Sequence, residues 1–195
     1  MNKEHLLSIF RDSQALLEGH FQLTSGLHSD RYFQCAKVLQ YPHYTELLCG
    51  EIAQQFRHQG IEVVIAPALG GIVVGQEVGR QLRARTLFTE RKDGQMQLRR
   101  GFQIQKGEKV LVCEDVVTTG GSVLEVIEIV RQLGGAVSGV ASIVDRSGGK
   151  VSFPLDGVAS FFSLMQMEVV TYPPEGCPLC KSGIPVVKPG SRSKT

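Results

Sequence analysis

VLVCEDVVTTGGSVLEVIEIV, residues 110–130, is the stretch on which the fold turns. Val110, Leu111, Val112 and Cys113 form an apolar run without alternation, as in a strand covered on both faces. Glu114 and Asp115 end that run. Val116 and Val117 then lead into the small, hydroxylated residues Thr118, Thr119, Gly120, Gly121 and Ser122. From there Val123, Val126, Ile127 and Val130 recur at the spacing of one helix face, and Ser122 and Glu125 stand at capping-box spacing. A buried strand turning directly into a helix is half of a parallel β–α–β unit, whose ligands sit beyond the carboxyl ends of the strands. Two carboxylates there can accept hydrogen bonds from neighbouring hydroxyls, as on a ribose. Small residues at a helix N-terminus expose backbone N–H groups to an anion, which the helix dipole favours. The chain has neither a GxxxxGK[ST] nor a strand-linked GxGxxG, so the usual nucleoside triphosphate and dinucleotide cradles lose support, and a phosphorylated ribose remains. An isolated TTGGS would read equally well as a plain turn. The apolar run and acid pair before it make the segment specific.

Outward from this centre the chain alternates between helix and strand. Residues 2–18 read as an amphipathic helix closed by Gly19, and the turn-rich 21–35 as a hairpin-like flap. Helices are expected over 43–59, 72–82 and 123–133, with strands over 61–66, 86–89, 110–113 and 136–144. ERKDGQMQLRRGFQIQKGEK, at 90–109, is charged and Gly-marked and is expected to be mobile. Beyond residue 165 the Pro- and Gly-rich text is expected to bury little, and its last residues, 188–195, to fray. The order implies an α/β fold with a mostly parallel central sheet flanked by helices, in one domain over residues 1–195.

Bulk properties set the remaining bounds. At 195 residues the chain can bury a sizeable core without disulfides or metal. With 21 basic against 19 acidic residues there is no global field to hold a polyanion, so nucleic acid is not an expected partner. No stretch has the form of a signal peptide or membrane span. Five cysteines at irregular spacing suit a reducing compartment, and the cytoplasm is the expected location. Cys177 and Cys180 form one CxxC, but zinc would need a second ligand pair that the spacing does not offer. Cys113 reads as a small core residue. His5, His20, His28, His43 and His58 are scattered, and Phe21, Tyr32 and Phe33 read more readily as packing than as a base-stacking platform.

The segment at 110–130 resembles the phosphoribosyl pyrophosphate (PRPP) signature of type I phosphoribosyltransferases. The resemblance implies that fold, with a small hood built from about residues 1–35 and the C-terminal segment over a core of about 36–165. It implies Glu114 and Asp115 on the ribose hydroxyls and Val116 to Ser122 around the 5′-phosphate. FQLTSGLHSDRYF at 21–33, APALGGIVVG at 66–75, TERKDGQMQLRRGF at 89–102, IVDRSGG at 143–149, CPLC and PVVKPGSR are together similar to the orotate phosphoribosyltransferases, particularly their shorter bacterial form. Carried over by motif, Thr118 and Arg146 would contact orotate, Arg146 through its carboxylate. Arg91 and Lys92 would bind pyrophosphate from a mobile loop near 90–102 that closes over the neighbouring subunit of a homodimer. Mg²⁺ is the implied cofactor, held mainly by PRPP near Asp115 rather than by dedicated protein ligands. Longer-form enzymes carry lysines where this chain has Thr24 and Gly70. The alternatives are the same fold acting on another base, or a regulator that senses PRPP without catalysis.

Overall fold

The computed structural model describes residues 1–23, 25–155 and 160–189. Its larger sheet has six strands in the order β5–β4–β3–β6–β7–β8, comprising β3 (Val63–Pro67), β4 (Arg85–Lys92), β5 (Gln95–Leu98), β6 (Lys109–Val117), β7 (Ala136–Asp145) and β8 (Ser160–Gln166). All neighbours are parallel except the β4–β5 hairpin. The unalternated strands are buried on both faces, as their sequences require. Val63, Ile65, Val110 and Val112 pack with Val123, Val126, Ile127 and Val130 of α5 (Gly121–Gln132). Val64, Ala66, Leu111 and Cys113 face the opposite layer, which holds α1 (Lys3–Asp12), α3 (Pro42–Phe56) and α4 (Gly70–Leu82). The strand period of two thus divides one run between two cores.

From β3 the chain moves to β4 on one side, then returns to lay β6 on the other side of β3. The reversal between β3 and β6 is a topological switch point, and it opens a crevice beyond their carboxyl ends. Pro67 and α4 stand on one bank of this crevice, and Glu114 to Ser122 on the other. A smaller antiparallel sheet, β1 (Leu16–Gln22), β2 (His28–Phe33) and β9 (Thr171–Tyr172), joins the chain's beginning to its end. The short helices α2 (Ala36–Leu39) and α6 (Pro178–Lys181) complete the described elements, with a single 3₁₀ turn at Pro174–Gly176.

Several expectations are corrected. The first helix stops at Asp12, not at residue 18. Ser13 is the C-cap, its Oγ donating back to Ile9 O at 2.7 Å, and Gln14 takes φ 57°, so Leu16 and Leu17 enter β1. β4 runs on to Lys92 and returns as β5, so the first part of the charged 90–109 stretch is a regular hairpin. β8 was not expected; it is a half-exposed edge strand without a clean apolar run. Met165, Met167 and Cys177 are buried, so the end of the chain contributes to the interior. The expected fraying concerns residues 188–195, of which 190–195 lie outside the described residues.

Candidate functional site

The crevice is built from two loops that follow β3 and β6. On the β6 side, Glu114 and Val116 to Val123 line a cleft of about 130 Å³. Gly120 is the N-cap of α5 with φ 77°, a left-handed conformation that a side chain would strain. A Cβ there would also lie 2.9 Å from both Phe153 and Val151, so the loop needs glycine for conformation and for room. The capping box expected from Ser122 and Glu125 does not form, because the cap falls at Gly120 and Glu125 instead pairs with Arg91 at 2.5 Å. Among the described residues, the N–H groups of Thr118 to Val123 donate to no backbone or side-chain acceptor, while Leu124 N already bonds Gly120 O at 2.9 Å. A run of unspent donors at the N-terminus of a three-turn helix is an anion cradle.

The acid pair is held in place by its own backbone. Glu114 Oε1 accepts from Asp115 N at 3.0 Å, and Asp115 Oδ1 accepts from Val116 N at 2.9 Å. Burial first, and the neighbouring Asp115 second, push the Glu114 carboxyl up to about 9. The opposite bank admits these carboxylates only because it lacks side chains. A Cβ on Gly70 would stand 2.3 Å from Asp115 Oδ2, and one on Gly71 would stand 3.0 Å from Glu114 Oε1. Gly70, set against a lysine of longer-form enzymes by the resemblance, thus leaves room for Asp115 where it stands; a side chain there would make that carboxylate shift. Thr24, the other such position, lies outside the described residues.

Arg146 enters from the end of β7, where its N–H bonds Val117 O at 2.8 Å. The loop behind it is locked by Asp145, which is fully buried and accepts from Ser147 N at 2.8 Å and Gly149 N at 3.0 Å. Burial lowers the Arg146 pKa from its ordinary value, with Tyr32 of β2 acting in the opposite sense. Its Nε is buried without a hydrogen-bond partner among the described residues. An orphaned guanidinium N–H beside a cleft is a site for an anionic acceptor.

The structure thus brings Glu114 and the 116–122 loop, Thr118 included, to one cleft, with Asp115 next to Glu114 and Arg146 joined to the loop through its N–H on Val117 O. Arg91 and Lys92 lie apart, on the β4–β5 hairpin. Arg91 is tied to Glu125 and to Gly94 O at 2.8 Å, and Arg99 and Arg100 both pair with Glu90 at 3.0 Å. Cys113 is fully buried, and desolvation raises its thiol well above the ordinary range, in keeping with a core role. Phe33 packs edge-on against Phe10 at 5.0 Å, whereas Tyr32 stays partly exposed beside Arg146. One group outside the crevice escapes a reading from spacing: the β1–β2 hairpin sets His20 and His28 against Cys177 and Cys180, supplying the second ligand pair that the CxxC lacks in sequence.

With this geometry in hand, likeness to known proteins is informative. The family described as "Phosphoribosyl transferase domain" matches residues 43–153. An orotate phosphoribosyltransferase of Chlorobaculum parvum is 61% identical over 193 residues, covering 99% of this chain and 98% of the relative. Among solved structures, the orotate phosphoribosyltransferase of Aeropyrum pernix superposes with a TM-score of 0.64 at 24% identity, covering 80% of this chain and 93% of that one. An adenine phosphoribosyltransferase of Rhodothermus marinus superposes at least as well, with a TM-score of 0.69 at 20% identity over 85% of this chain and 100% of that one. The backbone fold is therefore shared across bases and carries no choice among them; the near-full-length sequence likeness does. No helix among the described residues is long and apolar enough to cross a membrane. The chain belongs to the phosphoribosyltransferase family and, within it, to the orotate phosphoribosyltransferases.

Proposed function

We propose that this enzyme transfers the phosphoribosyl group of PRPP to orotate, giving orotidine 5′-phosphate and pyrophosphate in pyrimidine nucleotide synthesis. The observation that carries the reading is the unspent N–H cradle at 118–123, with Arg146, whose Nε is orphaned, tied to the same loop through Val117. The cradle takes the 5′-phosphate. Glu114 and Asp115 hold the ribose hydroxyls, whose O–H groups donate to carboxyl oxygens. Arg146 meets the orotate carboxylate, and Thr118 lies at the start of the cradle to contact the base.

In the reaction a ring nitrogen of orotate forms a bond to ribose C1 as the C1–oxygen bond to pyrophosphate breaks, and pyrophosphate leaves with the electron pair. Positive charge gathers on the sugar between these events. The chain contributes positioning and a fixed electrostatic environment rather than a covalent nucleophile. Mg²⁺ fits the site, since Asp115 presents a carboxylate beside the crevice; bound with PRPP, it would neutralise the departing pyrophosphate. The 90s hairpin, with Arg91 and Lys92, is the segment suited to cover the leaving group, from the partner subunit of a homodimer. The ion pairs that hold it lie at the surface, where such pairs contribute little, so its release costs little. Five free cysteines support a reducing, cytoplasmic setting.

The test is the loss of orotate absorbance in the presence of PRPP and Mg²⁺, with uracil, adenine and hypoxanthine offered in parallel. Consumption of orotate alone is expected. Turnover of a purine, or PRPP binding with no turnover of any base, would contradict the reading.

A further inference from the structure

The small sheet has a polar centre. His20 on β1 and His28 on β2 are 3% and 6% exposed, and Cys177, just before α6, is fully buried. His20 falls within a register irregularity between Glu18 and Phe21, a bulge that turns its ring toward His28 and the CxxC. One ligand atom from each of His20, His28, Cys177 and Cys180 lies within 4.8 Å of all the others. His20 Nε2 stands 3.6 Å from Cys177 Sγ and 3.7 Å from Cys180 Sγ, and His28 Nδ1 stands 3.3 Å from Cys180 Sγ. Zinc bonded to sulfur at about 2.3 Å and to nitrogen at about 2.0–2.1 Å, at tetrahedral angles, places nitrogen and sulfur about 3.6 Å apart. The two nitrogens, now 2.8 Å apart, would open by roughly half an ångström.

Two further observations point to a metal. His20 Nδ1 lies 2.7 Å from Ile184 O, an acceptor that fixes the N–H on that nitrogen and leaves the Nε2 lone pair facing the thiols. Such an outer hydrogen bond orients metal-bound imidazoles. The C-terminal segment also lacks an apolar anchor: among its described residues from 168 onward only Cys177 is buried, while Ile184, Val186 and Val187 are 43%, 50% and 53% exposed. It is nevertheless laid on the hairpin by Gln22 N to Val187 O at 2.9 Å and Val187 N to His20 O at 2.8 Å. A small subdomain without enough apolar burial needs another fastening.

We propose that His20 Nε2, His28 Nδ1, Cys177 Sγ and Cys180 Sγ bind one structural zinc ion that fastens the C-terminal segment to the β1–β2 hairpin. Two thiolates and two imidazoles fill a tetrahedron and leave no open position, so the ion holds structure and does no chemistry. Its consequence for the crevice is indirect: β2 also carries Tyr32, which acts electrostatically on Arg146.

The test measures metal in the full-length chain, purified under reducing conditions, dialysed, and supplied with zinc. About one tightly held zinc per chain is expected, with cobalt in its place giving the visible absorption of a tetrahedral thiolate site. Chelation is expected to lower the thermal midpoint of the wild type. Cys180→Ser, at an exposed position and so tolerated by the fold, should lose the zinc on dialysis and become insensitive to the chelator. A folded wild-type chain that takes up no zinc would overturn the proposal. So would zinc retained by Cys180→Ser, or a Cys177–Cys180 disulfide formed under the same reducing conditions.

Discussion

The crevice and the small sheet solve the same problem, placing four or more polar groups together inside a fold, in opposite ways. At the crevice, nearly every group comes from one continuous stretch, Glu114 to Ser122, delivered by a single strand-to-helix turn. In the small sheet, the four groups come from residues 20, 28, 177 and 180, and meet only after the two ends of the chain have found each other. The first arrangement is fixed by local backbone geometry and survives modest damage elsewhere. The second depends on long-range closure and therefore calls for a cross-link.

The largest effect should come from the contiguous side. Asp115→Ala removes a carboxylate expected to accept from ribose hydroxyls, and hydrogen bonds to charged groups are worth about 1.5–3 kcal/mol each. Steady-state kinetics should show kcat/KM lower by roughly 100-fold or more, with the circular dichroism spectrum unchanged. A loss below tenfold would detach Asp115 from the sugar. Next, Gly120→Val should both unfold the cradle and destabilise the chain, because it forces a branched residue to φ 77° against Phe153 and Val151. About 1–3 kcal/mol of stability should be lost in denaturant titration, together with PRPP binding; retention of both would show that the loop tolerates another conformation.

Glu114 gives a prediction with a definite sign. Its pKa in the folded chain is raised to about 9, above its value in the unfolded chain. The stability it allows is complete at acid pH, below the unfolded value near 4.5, and is lost as pH rises from there through about 9. Glu114→Gln cannot ionise, so it should be more stable than wild type at pH 8, by up to about 5 kcal/mol, and the gap should close toward pH 4. Thermal melts at the two pH values check this, and a gap that widens toward acid would reverse the assignment. The smallest effect belongs to Glu125→Ala, which frees Arg91. Stability should fall only slightly, because the pair is exposed. A larger loss would mean that the hairpin is fastened to α5 and is unsuited to closing over a partner's site.

The same contrast explains what could be read before the structure. β3 and β6 were legible because strands buried on both faces write themselves as unbroken apolar runs, and β7 because only small residues interrupt its apolar ones. The acid pair and the glycine loop were legible because their neighbours in sequence are their neighbours in space. Leu16 and Leu17 misled, since they continue the spacing of α1 and only the left-handed Gln14 ends that helix. β8 escaped because an edge strand needs apolar residues on part of one face only. The room that Gly70 leaves for Asp115, 45 residues away in sequence, cannot be seen in the APALGG segment itself. His20 and His28 remained two scattered histidines because a bulge, which leaves no fixed mark in sequence, aims one of them.

The central claim is that Arg146 reads the carboxylate of orotate while the 114–122 stretch holds PRPP. The most direct measurement compares wild type with Arg146→Ala in two assays on the same preparation: orotate kinetics, and PRPP binding by calorimetry. Truncating one partner of a buried charge pair costs about 2–5 kcal/mol, so kcat/KM for orotate should fall by at least roughly 30-fold while PRPP affinity stays within a few-fold of wild type. Full activity toward orotate in the variant, or an equal loss of PRPP binding, would contradict the account.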